Sequence, residues 1–201
     1  MRRFVTALVL IVISAVSIHA DRLLSQAEEK VAIEKINRQV SGVKSINANF
    51  TQVKSLSLLK EVLKANGILR YTAPANMHWE YTSPYKYVFE MSGDKVTITS
   101  SKGKNTVDAA SSKLFKSITE IIMQTVTGKC LNANSRFKSR IYEADKEYRV
   151  VLTPKSKQLA SMFKTVTLFI PFSAPKSLPV RKIVITEPNS DTTTITFDLQ
   201  K

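Results

Sequence analysis

A lone histidine, a lone cysteine and a recurring Ser-x-x-Lys spacing are the groups in this chain that could act on a substrate. The 201 residues contain two histidines, His19 and His78, and one cysteine, Cys130. A histidine works as a general base beside a nucleophile, and a cysteine attacks only as a thiolate. His78 alternates with Met77 and Trp79, so it points to the opposite, solvent face of a strand. Ser-x-x-Lys, the spacing at which a lysine could activate a serine, occurs eight times, beginning at Ser41, Ser57, Ser83, Ser92, Ser101, Ser135, Ser161 and Ser173. No Lys-Thr-Gly accompanies it, and a spacing so frequent in a chain rich in both residues identifies nothing. Glu143, Asp145 and Glu147 fall in a turn, where solvated charge is the ordinary role. The five glycines stand singly, so neither GxGxxG nor GxxxxGK is present to cradle a phosphate. One cysteine excludes a disulfide framework and any clustered-thiolate metal site. The expectation is a protein that is not an enzyme and uses neither cofactor nor metal.

Regularly spaced apolar side chains are what the chain has in quantity, at 43% of residues. From Leu23 to Val40, Leu24, Ala27 and Val31, then Ile33, Ile36 and Val40, recur at threes and fours between charged residues. This predicts one amphipathic helix, stopped at Ser41-Gly42. Beyond it the period drops to two. Ile46, Ala48 and Phe50 form one inward set, followed by Leu63, Ala65, Gly67, Leu69 and Tyr71. Met77, Trp79 and Tyr81 form the next, then Tyr87, Phe89 and Met91. Such alternation marks half-buried antiparallel strands. Ala73-Pro74, Ser83-Pro84 and Ser92-Gly93-Asp94 separate them as turns. A further short pair covers Lys95 to Ser100 and Asn105 to Ala109.

A second helix is predicted from Ser111 or Ser112 to Gly128, with Leu114, Phe115, Ile118, Ile121 and Ile122 on its apolar side. Strands resume at Arg140–Tyr142, Tyr148–Thr153, Thr165–Ile170, Val180–Thr186 and Thr192–Leu199. The order of one helix, six strands, a helical insert and five strands is an α+β domain over residues 21–201. A large, highly curved antiparallel sheet with helices inside its concave face is the economical architecture, since a flat sheet of this size leaves an apolar face bare. The inward residues Phe50, Leu69, Tyr71, Met77, Trp79, Tyr81, Phe89 and Met91 fit a packed core or the wall of a hollow. The alternation leaves both open.

Met1-Arg2-Arg3, an apolar run from Phe4 to Val16, and Ala20 before Asp21 read as a cleaved signal peptide over residues 1–20. The run is shorter than the roughly 20 residues a membrane-spanning helix needs. No cysteine adjoins the junction to take a lipid. Loss of Arg2 and Arg3 lowers the formal charge from +14 to +12. Export points away from nucleic acid, and basic charges dispersed without lysine runs fit an ordinary solvated surface first and acidic partners or anionic lipid headgroups second.

Phe50-Thr51-Gln52, Gly67-Ile68-Leu69, Pro74, Met77, Trp79, Pro84 and Ser92-Gly93-Asp94-Lys95-Val96, followed by Val151-Leu152-Thr153-Pro154-Lys155, resemble the LolA-type periplasmic lipoprotein carriers in order and spacing. The resemblance implies an incomplete, half-open β-barrel covered by helices. It further implies a monomeric periplasmic chaperone that takes acylated lipoproteins from an inner-membrane exporter to an outer-membrane acceptor or an anionic membrane surface. A sensor of mislocalised lipoproteins on the same scaffold is the alternative. The inward residues above then become the cavity lining, and Leu114, Phe115, Ile118, Ile121 and Ile122 the lid. Acyl chains cost about 0.8 kcal/mol per methylene in water, and affinities saturate near roughly 18 to 21 kcal/mol. Such a cavity must therefore shield chains in part, as a shuttle between near-equal sites. One residue departs from the pattern: Ala73 stands where these carriers place an arginine that latches the lid. The departure implies another latch, weaker closure or a different cargo.

Overall fold

A computed structural model describes residues 21–58, 61–108, 121, 123–131 and 136–200. The predicted signal peptide lies outside the described residues, as do Leu114, Phe115, Ile118 and Ile122 of the predicted lid. Where the helical period starts at Leu23, the backbone is instead a short strand, β1 (Arg22–Leu23), paired with Tyr142 and Glu143. Helix α1 (Gln26–Val40) begins one residue after Ser25, whose hydroxyl accepts the Glu28 N–H while the Glu28 carboxylate accepts the Ser25 N–H at 2.8 Å. This reciprocal cap satisfies two otherwise orphaned donors.

The buried stripe of α1 is Ala32, Ile36 and Val40, and Val31 is half exposed. Glu29 lies on the same stripe at helical spacing and accepts the Ile141 N–H at 2.9 Å, with Arg140 Nε at 3.2 Å. Docking against the backbone of strand β8 (Phe137–Ala144) thus sets the rotation of the helix, and Ala27 and Val31, expected on its apolar face, turn outward. Polar satisfaction outweighed one stripe of an ambiguous apolar pattern.

The remaining strands are β2 (Ser45–Leu56), β3 (Glu61–Thr72), β4 (Asn76–Ser83), β5 (Tyr87–Ser92), β6 (Lys95–Ser100) and β7 (Gly103–Asp108), then β9 (Glu147–Pro154), β10 (Thr165–Pro171), β11 (Lys182–Thr186) and β12 (Thr192–Leu199). They form one sheet of twelve strands in the order β1-β8-β9-β10-β11-β12-β2-β3-β4-β5-β6-β7. Neighbours pair antiparallel throughout, and the two end strands, β1 and β7, do not meet. This is the half-open barrel, a sheet that curls without closing. The last strand, β12, pairs with β2 over eight positions from Thr192↔Ser55 to Leu199↔Ala48, which joins the two halves of the chain in one sheet.

The core is one cluster on the inner face, where Ile46, Ala48, Leu69, Ile141, Val150, Leu152, Leu168 and Ile170 are almost wholly buried beneath α1 and its neighbours.

At Gly67 the sheet carries a local irregularity with a large consequence. Gly67 pairs with Phe50 on β2 and with Tyr81 on β4, while Asn66 pairs with Ser83, leaving Thr82 as an extra residue in a bulge. A Cβ on Gly67 would overlap the Glu80 carbonyl oxygen and the Phe50 ring. The Phe50 ring therefore occupies the place of the missing side chain. It reaches across β3 to Trp79, with centroids 4.4 Å apart, and to Tyr81, edge-on at 5.3 Å.

Two outcomes follow from these contacts. Gly67→Ala forces either the ring or the β4 backbone to move, and a loss of about 1–3 kcal/mol or more is expected from the midpoint of urea unfolding. The Ser25 N–H, followed by Arg22 and the Ser25 hydroxyl, holds the Glu28 carboxyl down at about 2 against its ordinary 4.5. A carboxyl depressed by folding stabilises the protein above its unfolded pKa and loses that contribution as pH falls through its folded one. Glu28→Gln should therefore melt below the parent at neutral pH, and the gap should close between about pH 4.5 and 2.

Candidate functional site

Two members of the aromatic cluster built over Gly67, Trp79 and Tyr81, stand in one wall of a cavity of about 330 Å³ on the inner face of the sheet. Trp79 and Tyr81 of β4 and Tyr87 and Phe89 of β5 supply that wall, since residues two apart on a strand share a face. Across the space stand Val166 of β10, Ile183 and Ile185 of β11, Thr193 and Ile195 of β12, and Phe163 from the segment leading into β10. Ile121, Thr125 and Val126, from helical residues on the third side, complete the described enclosure.

No described lining residue carries a charge. The two most polar groups satisfy each other, with the Tyr81 hydroxyl donating to Gln52 Oε1 at 2.9 Å. Burial pushes the Tyr81 phenol above its ordinary range, so it stays neutral and adds no field to the site. A space of this kind disfavours ions and hydrated ligands and favours hydrocarbon.

Of the residues expected to line it, the structure brings Trp79, Tyr81, Phe89 and Ile121 together at the cavity. Phe50, Leu69, Tyr71, Met77 and Met91 are buried in the packed core instead and are not part of its wall. The two groups share one strand parity and differ in depth. Trp79 and Tyr81 sit nearer the end of the sheet at which β4 turns into β5, whereas Met77 and Met91, paired directly, lie near the opposite end. Sequence reasoning missed the facing wall of β10 to β12. The Val166-Leu168-Ile170 and Ile183-Ile185 alternations carry the signal, since they mark the inward face of strands β10 and β11.

The helical residues 123–127 are anchored at their C-terminal end. The Thr127 hydroxyl donates to the Met123 carbonyl at 2.7 Å, and Gly128 turns at φ +72°. A Cβ on Gly128 would stand 2.8 Å from Val40 Cγ1, so this turn packs directly on α1. Thr125, Val126, Thr127, Cys130 and Leu131 are all buried there. Ala73, at the position of the absent arginine, is partly buried against the core and donates its N–H to the Lys44 carbonyl at 2.8 Å. Its methyl group has no donor to offer a helix carbonyl.

The chemically reactive candidates lie elsewhere. His78 is on the outer face between Glu80, at 3.1 Å, and Glu90, at 3.3 Å. Among the described residues no group of three His, Cys, Asp or Glu is placed to hold a metal. A larger concavity of about 700 Å³ is ringed by Asp21, Asp145, Lys146, Glu147, Arg149, Arg181 and Lys182, with Arg149 paired to Asp21 and Arg181 to Glu147. Its charges make it unsuitable for an apolar ligand.

The family model described as outer membrane lipoprotein carrier protein LolA matches residues 41–201, from the end of α1 through β12. The chain belongs to the LolA family. Among solved structures, the LolA-family chain is similar to a LolA superfamily protein from Nitrosomonas europaea, at 11% identity over 86% of this chain and 93% of that one, with a TM-score of 0.43. It is also similar to the Mycobacterium tuberculosis lipoprotein LppX, at 12% identity over 87% and 95%, with a TM-score of 0.46. A comparison with curated protein sequences finds no match. Among the described residues, no helix of this LolA-family protein is long and apolar enough to cross a membrane.

Burial raises the Cys130 thiol to about 12. Thiol-specific reagents at neutral pH should therefore label the native protein at less than a tenth of the rate seen in denaturant, because the thiolate is scarce and enclosed. Rapid native labelling would show that the turn beside the helix opens readily.

Proposed function

We propose that this LolA-family protein is a periplasmic carrier that takes acyl chains of lipoproteins into the cavity and shuttles them from an inner-membrane exporter to an outer-membrane acceptor, catalysing no reaction. The observation that carries the reading is the uncharged lining between two sheet walls, in a chain that is otherwise strongly basic. Family membership supports lipoprotein as the cargo, and the apolar leader at residues 1–20 supports export.

The volume supports partial shielding. Ligand sites run from roughly 300 to 1,000 Å³, and about 330 Å³ is at the low end. Chains held only in part are bound strongly enough to travel and weakly enough to leave. A neutral wall reads hydrocarbon without regard to the protein attached to it, which suits a carrier of many cargoes. Phe163, Ile121, Thr125 and Val126 meet the sheet from other elements and close the described lining on that side.

Two substitutions of the same chemistry separate the cavity from the core. Ile185→Glu places a carboxylate in the cavity wall at a partly buried position, and uptake of a fluorescent fatty acid should fall about tenfold or more with little change in melting temperature. Met77→Glu places it in packed core and should cost folding itself, by several kcal/mol. Equal loss of folding in both would mean that the space is ordinary core. Mass spectrometry of the purified protein should detect co-purifying lipid or lipopeptide, and its absence together with unimpaired fatty-acid uptake in Ile185→Glu would overturn the carrier reading.

A further inference from the structure

Four large apolar side chains are exposed at one end of the sheet: Leu58 at 92%, Tyr85 at 60%, Val62 at 54% and Leu63 at 52%. Leu58 is in the turn between β2 and β3, and Val62 and Leu63 are close to it on β3. Adjacent strand residues point to opposite faces. Exposure of both Val62 and Leu63 therefore means that neither face of β3 is covered here, where the strand runs past the end of its pairing with β4 at Asn66.

The hairpin has fixed neighbours. The Ser57 N–H and hydroxyl donate to Asp191 Oδ1 at 2.8 and 3.0 Å, and Lys54 pairs with Glu187 at 3.0 Å. Those contacts tie the hairpin to the β11–β12 turn, and the Lys54 ammonium offsets the Glu187 carboxylate there. The pairings Asn66↔Ser83 and Thr192↔Ser55 put the β4–β5 turn, with Tyr85, and the β11–β12 turn at this same end. Tyr81, Tyr87, Ile185 and Thr193 of the cavity wall lie beside these turns. Exposed lysines gather here as well: Lys64 on the hairpin, Lys86 after Tyr85, Lys102 and Lys104 at the β6–β7 turn, and Lys157 and Lys164 ahead of β10.

Exposed leucine at a strand end, with lysines on the neighbouring turns and the wall of an uncharged cavity beside them, is complementary to one kind of surface. We propose that Leu58 and the uncovered start of β3 at Val62 and Leu63 dock this end of the protein onto an anionic lipid bilayer, with Leu58 entering the acyl boundary and the lysines meeting phosphate headgroups. The apolar and electrostatic contributions act together, because one shallow apolar contact alone gives only marginal, reversible binding. The docking concerns where the protein lands, and it holds whatever the cavity carries.

The test is co-sedimentation of the full chain, recovered after export, with vesicles of equal parts phosphatidylethanolamine and phosphatidylglycerol, beside vesicles of phosphatidylcholine alone. The parent should bind the anionic vesicles preferentially, and binding should weaken as salt is raised. Leu58→Glu should bind about tenfold more weakly, from loss of one buried leucine. Lys64→Gln and Lys86→Gln should each weaken binding roughly fivefold at low salt. All three positions are exposed, so urea midpoints should stay at the parent value. Equal binding to both vesicle types, or no binding to either, or an unaffected Leu58→Glu variant would overturn the docking proposal, the last pointing to a protein receptor for this end. Fatty-acid uptake measured on the same samples keeps the two readings separate: docking can fail with uptake intact, and uptake can fail with docking intact.

Discussion

The placement of the Phe50 ring over the bare Cα of Gly67 is the contact on which the inner face of this protein turns. Any side chain on Gly67 would occupy the same space as the ring. With that space open, Phe50 spans from β2 to β4 and braces Trp79 and Tyr81, and Trp79 in turn meets Phe197 of β12 edge-on at 6.0 Å. Three strands are joined through the Phe50 ring, and the far end of the chain through Trp79. On one side of this cluster the sheet's interior is filled by Leu69, Tyr71, Met77 and Met91; on the other it is hollow. The cluster thus borders the cavity through Trp79 and Tyr81, while its Phe50 belongs to the core.

The hollow follows from what faces the aromatic wall. Val166, Ile183, Ile185, Thr193 and Ile195 are short, β-branched residues on strands that curl toward the aromatics without carrying side chains long enough to meet them. β-branching fixes such side chains close to the backbone. The half-open sheet, with β1 and β7 apart, keeps the walls at a distance that closure would abolish. Helical residues close part of the gap, and their fixed end is the Gly128 turn on Val40. The Ala73 side chain has no hydrogen-bonding group, and Thr125, Val126, Thr127, Cys130 and Leu131 are held on this side by burial against their neighbours.

Charge is partitioned as sharply as volume. The chain has 30 basic and 16 acidic residues, yet the described cavity wall has none of either. Lysines line the turns beside it, while the ion pairs of Arg149 with Asp21 and Arg181 with Glu147 sit in a separate, charged concavity. An apolar interior beside a cationic rim separates hydrocarbon from headgroup within one molecule. The residues that looked able to catalyse are outside this arrangement: His78 is on the outer face, and Cys130 is buried with its thiol raised.

Much of this was legible in the chain. Alternating apolar residues gave eleven of the twelve strands, the helical period gave α1, and the order of FTQ, Gly67, Pro74, Trp79 and the Gly93 turn pointed to the family that residues 41–201 match. What the pattern could not give was β1, two residues whose strand state exists only through pairing with β8. Nor could it give the rotation of α1, set by the hydrogen bond from the Ile141 N–H to Glu29 across the fold. Least of all could it tell Met77 from Tyr81. Both are inward, apolar and on one strand, and periodicity assigns them the same face. One is core and the other cavity wall because filling depends on the distance to the opposing surface, a quantity fixed only when β12 pairs with β2 and the sheet curls.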